Sequence, residues 1–251
     1  MLDKLKYMTH KKSFHIVMLI VILAIILFVV GILILRYNVE GETNMPFKLT
    51  KISIISSSEG KDKETTDSKW AFDVYQSNDI YLYIDKNENY NGTDAISSIL
   101  INNISIDSSS KDKLKIYRPD VEDENLIFKN DDKNIVSEII YSGAMESNMK
   151  NLEISNQGGV IAFRASYDNL AEYKSNEDEI NHQQLLQKMG ITTEQLKGKL
   201  TFDFIIETES NRKYITNISI DIPVRDVVTD GITSTEITNM DDFIFKRLKN
   251  N

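Results

Sequence analysis

Hydrophobic positions along this chain follow two regimes. From Phe14 to Leu35 the sequence reads FHIVMLIVILAIILFVVGILIL, about 22 residues without Asp, Glu, Lys or Arg. Roughly 20 apolar residues cross the hydrocarbon core of a bilayer as a helix, so this run predicts a transmembrane helix over 14–35. Beyond it the pattern becomes alternating, the period of a half-buried strand. Trp70, Phe72 and Val74 alternate with Ala71, Asp73 and Tyr75; Ile80, Leu82 and Ile84 alternate with Tyr81, Tyr83 and Asp85. Paired as a hairpin, the two runs keep one apolar face only if Val74 opposes Leu82 and Phe72 opposes Ile84, which requires an odd loop such as Ser77, Asn78 and Asp79.

A second pair repeats the logic. Leu200, Phe202, Phe204 and Ile206 face one way, and Thr216, Ile218, Ile220 and Ile222 return after Ser210, Asn211 and Arg212. A three-residue loop predicts Phe204 opposite Ile218 and Phe202 opposite Ile220, leaving Asp203 and Asn217 in solvent. Further short runs lie at 99–106, 114–117, 126–128, 136–141, 152–154 and 160–163, divided by Asn, Asp, Ser and Gly. Short strands spaced in this way favour a sandwich. One segment departs from the pattern: Ser175 or Asn176 caps a helix with Glu177, Asp178 and Glu179 in its first turn, Ile180, Leu185, Leu186 and Met189 as its stripe and Gly190 as its stop. Thr192 and Gln195 then have capping-box spacing. The expected fold is mainly β: an antiparallel β-sandwich over 46–224 with a short helical insertion at about 176–198. A C-terminal segment, 225–251, follows, in which Phe243, Ile244 and Phe245 are placed to add a last strand.

Charge turns this pattern into a topology. Lys4, Lys6, Lys11 and Lys12 stand before the apolar run against Asp3 alone, whereas Arg36 after it is followed by Glu40 and Glu42. Basic flanks stay on the cytoplasmic side. The expectation is a cytoplasmic tail over 1–13, a single-pass anchor, a juxtamembrane linker over 36–45 and an extracytoplasmic domain. The apolar run exceeds the roughly 7–15 residues of a cleaved signal, and Val39 with Gly41 makes a poor cleavage pair, which favours a retained anchor. The chain carries −9 and the tail about +3, so about −12 falls on the exported part. Nucleic acid is not an expected partner for such a domain. There is no cysteine, so the domain must hold together through its core without disulfides.

Candidate chemistry is sparse. Asp85, Asn87, Asn89, Asn91 and Asp94, with Gly92 between the last two, place oxygen side chains at alternate positions before a glycine, as calcium loops do. Asn87 stands where such a loop has its first Asp, and Ser98 where it has its closing Glu; the competing reading is a polar turn with Asn-Gly at its tip. Tyr75, Tyr81 and Tyr83 share one strand face and are candidates for stacking on sugar rings or anchoring a partner, unless other parts of the domain cover them. His182 reads as a solvated surface residue. Ser58 with Lys61 and Ser147 with Lys150 have Ser-x-x-Lys spacing without the companion elements of serine enzymes. Carboxylates at Glu122 to Glu124 and at Asp131 with Asp132 read as loop charge, and Gly158 with Gly159 as a turn. Asn91, Asn103 and Asn217 begin Asn-x-Ser/Thr triplets, relevant only in a eukaryotic host.

With its short basic start, its anchor, and segments such as KWAFDVYQSNDIYLYIDKN and NLEISNQGGVIAFR, the chain resembles single-pass membrane-anchored proteins of low-GC Gram-positive bacteria. The resemblance covers most of the chain and transfers no activity and no functional residue. The expectation is a structural or protein-interaction module of the cell envelope, not an enzyme and without a cofactor. The alternative is a calcium- or carbohydrate-binding surface module, with an envelope enzyme behind both.

Overall fold

The structure is a computed structural model that describes residues 2–36, 44–122, 127–145 and 152–248. Helix α1 (Leu2–Arg36) starts within the basic tail and carries the apolar run. Its stretch His15–Leu33 is long and apolar enough to cross a membrane. Its 19 residues cover about 28 Å at the helical rise, against roughly 30 Å of hydrocarbon. None of this stretch is buried, and the hydrophobic core begins only at Met45, so the β domain closes its core without the helix.

Eleven strands are described: β1 (Phe47–Asp62), β2 (Trp70–Lys86), β3 (Ile96–Ser108), β4 (Leu114–Tyr117), β5 (Ile139–Gly143), β6 (Leu152–Ile154), β7 (Gly159–Ser175), β8 (Gly198–Thr208), β9 (Lys213–Ile222), β10 (Ile232–Ile237) and β11 (Lys246–Leu248). They form two sheets, with orders β10-β1-β2-β7-β4 (sheet I) and β11-β9-β8-β3-β5-β6 (sheet II). All pairings are antiparallel except β5 with β6, which run parallel. The inner faces enclose the main core, which includes Ile52, Ile80, Leu82, Phe163, Phe202 and Phe204. Three short helices close one end: α2 (Leu185–Lys188), α3 (Thr193–Leu196) and α4 (Val227–Asp230). Leu185, Leu186, Leu196, Val227 and Val228 pack there against Phe72, Val74, Tyr167 and Tyr173 as a second cluster.

The first expected hairpin is instead one strand. In β2, Ser77 pairs with Ser57 on one side and Ser166 on the other, and Asp79 pairs with Ile55 and Arg164. Phe72, Val74, Gln76, Asn78, Ile80, Leu82 and Ile84 all point inward and are buried. An odd loop preserves the same parity as no loop at all, so alternation could not tell the two apart. The core face tolerates its polar pair because each group is matched. Asn78 Nδ2 donates to the Ala165 carbonyl at 3.1 Å and to Gln76 Oε1 at 3.0 Å, and Ser56 Oγ donates to Asn78 Oδ1 at 2.7 Å.

The β8–β9 hairpin keeps the expected faces in a register two residues away. Phe202 opposes Ile218, Phe204 opposes Thr216 and Asp203 opposes Asn217. The turn is longer than three residues: Glu207 still pairs with Lys213, Thr208 N donates to the Arg212 carbonyl, and Asn211 takes φ 56°. Asn is among the few residues that adopt this left-handed conformation readily.

Other boundaries also move. Residues 160–163 open the 17-residue β7, and the 136–141 run becomes a strand only from Ile139. Phe128 lies in a loop, and Leu126 falls outside the described residues, as does most of the linker. The helical insertion starts at a 3-10 turn, His182–Gln184, capped by the Asn181 side chain, rather than at Glu177. Segment 176–181 is held as loop across the start of β2, because Lys69 N donates to Asn176 Oδ1 and Trp70 Nε1 to the Glu177 carbonyl. The Thr192/Gln195 capping box is present. The C-terminal segment supplies two strands: β10 lines β1 and β11 lines β9. The last strand follows the Phe243–Phe245 patch instead of containing it, while Phe245 packs edge-on to Phe204 at 6.2 Å between centroids.

One inter-sheet contact stands in for a missing ladder neighbour. Tyr141 on β5 reaches across to β7, where its hydroxyl donates to the Ala162 carbonyl at 2.7 Å and accepts from Ala162 N at 3.0 Å.

Candidate functional site

The outer face of sheet I carries a lattice of polar side chains set by strand register. Successive rows place Ile55, Asp79, Arg164 and Tyr117 side by side, then Ser57, Ser77, Ser166 and Lys115. Glu59 sits opposite Tyr75 on the next row. Arg164, 8% exposed, is the centre. Its Nε donates to Asp79 Oδ1 at 2.6 Å and its Nη2 to Asp79 Oδ2 at 3.0 Å, the forked pairing that suits a guanidinium and a carboxylate. Nη1 donates to Asn130 Oδ1 at 2.9 Å, and Glu59 Oε1 lies 3.5 Å from Nη2.

Glu59 is itself saturated. It accepts from Ser57 at 2.5 Å, Ser77 at 2.6 Å and the Tyr75 hydroxyl at 2.6 Å. Burial alone would raise its pKa, but Arg164 and these three donors outweigh it and hold the carboxyl below its ordinary value. Tyr75 is driven well above its usual value by burial and by the adjacent Glu59 carboxylate. Tyr117 is raised by burial and by Asp168, to whose carboxylate its hydroxyl donates.

A loop folds over this lattice. The chain leaves β4 at Tyr117 and returns at Ile139, and on the way Phe128, 5% exposed, covers Tyr81 edge-on at 6.5 Å and the Arg164 guanidinium at 5.2 Å. Asn130 clamps the loop by donating to Ser166 Oγ at 3.0 Å and Asp168 Oδ1 at 3.3 Å. Between the loop and the strands lies a cleft of about 310 Å³, lined by Lys61, Asp62, Asp73, Tyr75, Lys115, Tyr117, Asn130, Asp132, Asp168 and Asn169. Its walls are fixed on one side by sheet backbone. Asn169, in the left-handed region at φ 51°, sits where β7 bulges opposite Tyr75.

The three tyrosines of the expected aromatic face therefore have different fates. Tyr75 lines the cleft, Tyr81 is partly roofed by Phe128, and Tyr83 lies beneath Lys51 Nζ at 4.2 Å from its ring centre. The oxygen-rich loop after β2 does not converge. Asp85 Oδ2 accepts from Thr50 Oγ1 at 2.9 Å, Asn87 Nδ2 donates to the Met45 carbonyl at 2.9 Å, and Asn87 Oδ1 accepts from Asn89 N at 3.1 Å. Asp94 turns away toward the β8–β9 turn, where it accepts from the Ser210 hydroxyl and from the backbone of Ala95 and Ser210. Burial pushes the Asp94 carboxyl up, and those donors bring it below its ordinary value. Asn91 is exposed. Among the described residues no group of three or more His, Asp or Glu gathers closely enough to hold a metal ion.

Ser58 and Lys61 point to opposite faces of β1. Ser58 is buried and Lys61 reaches the Asn130 carbonyl, so their spacing brings no nucleophile to a base. His182 is exposed, edge-on to Phe72 at 4.8 Å. Gly158 turns the chain into β7 at φ 113°, with no room for a Cβ beside the Ile84 carbonyl. Ser147, Lys150 and Glu124 lie outside the described residues.

The pattern reading passed over Arg164, Asp79, Glu59, Asn130 and Asp168. Its available signal was charge inside an apolar run, where Arg164 interrupts VIAFRASY; Asp79 stands at an outward position that alternation already gives to a polar residue, so it carried no signal. No protein-family model matches this chain, and neither a curated protein nor a solved structure matches it.

Proposed function

We propose that the chain is a single-pass, membrane-tethered interaction module of the cell envelope, its N-terminus cytoplasmic and its β-sandwich outside. The apolar stretch of α1 and the lysines before it support the tether and its orientation. One observation carries the interaction role: the cleft on sheet I is polar, pre-shaped and set on rigid strands. The buried Arg164 holds Asp79 and Glu59 beneath it; burial raises the Asp79 carboxyl against the opposing pull of Arg164. Glu59, held as a carboxylate by Arg164 and three donors, is a poor general base and a good structural anchor. Because β1 begins at Phe47 and the cleft lies near its other end, beside Lys61 and Asp62, the tether leaves the cleft facing away from the bilayer.

The partner's contact segment is a polar one, since acidic side chains outnumber Lys61 and Lys115 in the lining. A carbohydrate is the second reading, because Tyr75 stands there with Asn130, Asn169 and aspartates, groups that stack on and hydrogen-bond sugars. A photo-crosslinking residue at Asp132, 95% exposed at the cleft rim, is expected to trap a discrete adduct in the full-length chain in its membrane, and Lys115→Glu is expected to abolish it. The same probe at Asn91, on the turn beyond the other end of β2, should trap none. Adducts that are equal at both positions, or indifferent to Lys115→Glu, would remove the cleft from this reading.

A further inference from the structure

The outer face of sheet II carries partly exposed aliphatic side chains. There, four aliphatic side chains form one row in cross-strand register, Ile140 on β5, Leu100 on β3, Ile205 on β8 and Ile215 on β9, and the row ends on Lys246 of the edge strand β11. Ile140 is 52% exposed and the other three are half-buried. At the usual strand spacing the row runs about 14 Å across the sheet. Polar rows border it, with Ser142, Ser98, Glu207 and Lys213 on one side and Asn102, Asp203 and Asn217 on the other.

We propose that a second copy of this chain docks on this row, the two domains related by a two-fold axis parallel to the strands and passing between β3 and β8. The proposal rests on the tethered topology argued above. Two single-pass chains in one bilayer need an axis along the membrane normal. An axis along the strands meets that need, because both copies then present Phe47, where the tether enters β1, at the same end. An axis across the strands would send the two tethers toward opposite membranes.

Register then decides whether the faces match. This axis sets Leu100 over the partner's Ile205 and Ile140 over the partner's Ile215. It sets Ser98 over the partner's Glu207, Ser142 over the partner's Lys213 and Asn102 over the partner's Asp203, so none of these flanking pairs opposes like charges. That matters for a domain carrying about −12 outside the tail, since like charges across an interface repel. Four partly exposed side chains fall well short of the roughly 800 Å² per partner of a standard interface. The contact therefore needs the high effective concentration that tethering to one membrane supplies. The freed domain is monomeric, and the anchored chain is paired.

The chain has no native cysteine, so single-cysteine variants give clean crosslinking. Full-length Leu100→Cys and Ile205→Cys chains, co-expressed and treated in membranes with a short thiol-to-thiol crosslinker, are expected to give several-fold more covalent dimer than Asp132→Cys at the cleft rim over sheet I. Adding Ile140→Glu to both chains should return the yield to the Asp132→Cys level, with a thermal transition of the domain showing that it still folds. Equal yields at all three positions in chains that resist carbonate extraction overturn the dimer and leave the anchor intact. Chains released by carbonate overturn the anchor, and the tethered dimer with it.

Discussion

The two outer faces of this sandwich solve the same problem in opposite ways. Sheet I lays charges on its outer surface and buries them under the loop that carries Phe128 and Asn130; sheet II, among the described residues, carries a row of partly exposed aliphatics on its outer surface. The covered face gains rigidity at a cost, because a guanidinium and two carboxylates withdrawn from water must match one another closely to break even. The open face needs no such matching, and its cross-strand aliphatic pairs strengthen the sheet without fixing a loop. A surface that must hold a shaped cleft needs the first solution. One that must slide onto a flat partner is served by the second.

The largest break in this comparison comes from Arg164→Met, which removes the cation and leaves Asp79 and Glu59 facing each other with low exposure. Removing one partner from a buried ion pair costs about 3–5 kcal/mol, which urea denaturation of the domain from Asn44 onward should register. A loss under about 1 kcal/mol would mean that water reaches the network and that the loop is no cover. Phe128→Ala tests the cover directly. Truncating a buried Phe costs about 3 kcal/mol, and the Tyr81 ring should become accessible to surface-reactive reagents in the same variant.

Glu59→Gln separates charge from shape. Because the folded pKa of Glu59 lies below its ordinary value of 4.5, its contribution to stability is present above that pH and is lost as pH falls through the lowered value. The wild-type domain should therefore lose stability on acidification below about 4.5 more steeply than Glu59→Gln, and the two curves should converge at the acid end. Parallel curves would show that Glu59 is not coupled to Arg164.

How much of this was legible in the sequence depended on how local each signal was. The capping box at Thr192 and Gln195, the stop at Gly190 and the helical state of the apolar run in α1 involve residues close in sequence, and each forms as expected. The β8–β9 hairpin was legible as a hairpin because Ser210, Asn211 and Arg212 supply a turn, although the left-handed Asn211 set a longer loop than the composition implied. Ser77, Asn78 and Asp79 are just as turn-like in composition, yet they form the middle of a strand, because β1 and β7 pair on both sides of them. No local pattern carries that information. The candidate site shares the difficulty: Arg164 lies 85 positions from Asp79, and only the β2–β7 register brings the two together. The edge strands β10 and β11 contain few apolar residues, so alternation had little to mark.

The smallest expected effect bears on the open face, and it is the sharpest test of the contrast. Ile205→Thr exchanges one half-buried aliphatic in the row for a β-branched residue that keeps strand propensity and tolerates water. In the freed domain the loss should stay within about 1 kcal/mol, the scale of a cross-strand pair on an exposed face. A loss of about 3 kcal/mol would place Ile205 in the ordinary core economy of the fold, and the row would then exist to hold the sheet together. A small loss in the freed domain, combined with a clear drop in crosslinked dimer from the anchored chain, separates the two roles, since only a residue kept for docking is dispensable to folding and necessary to association.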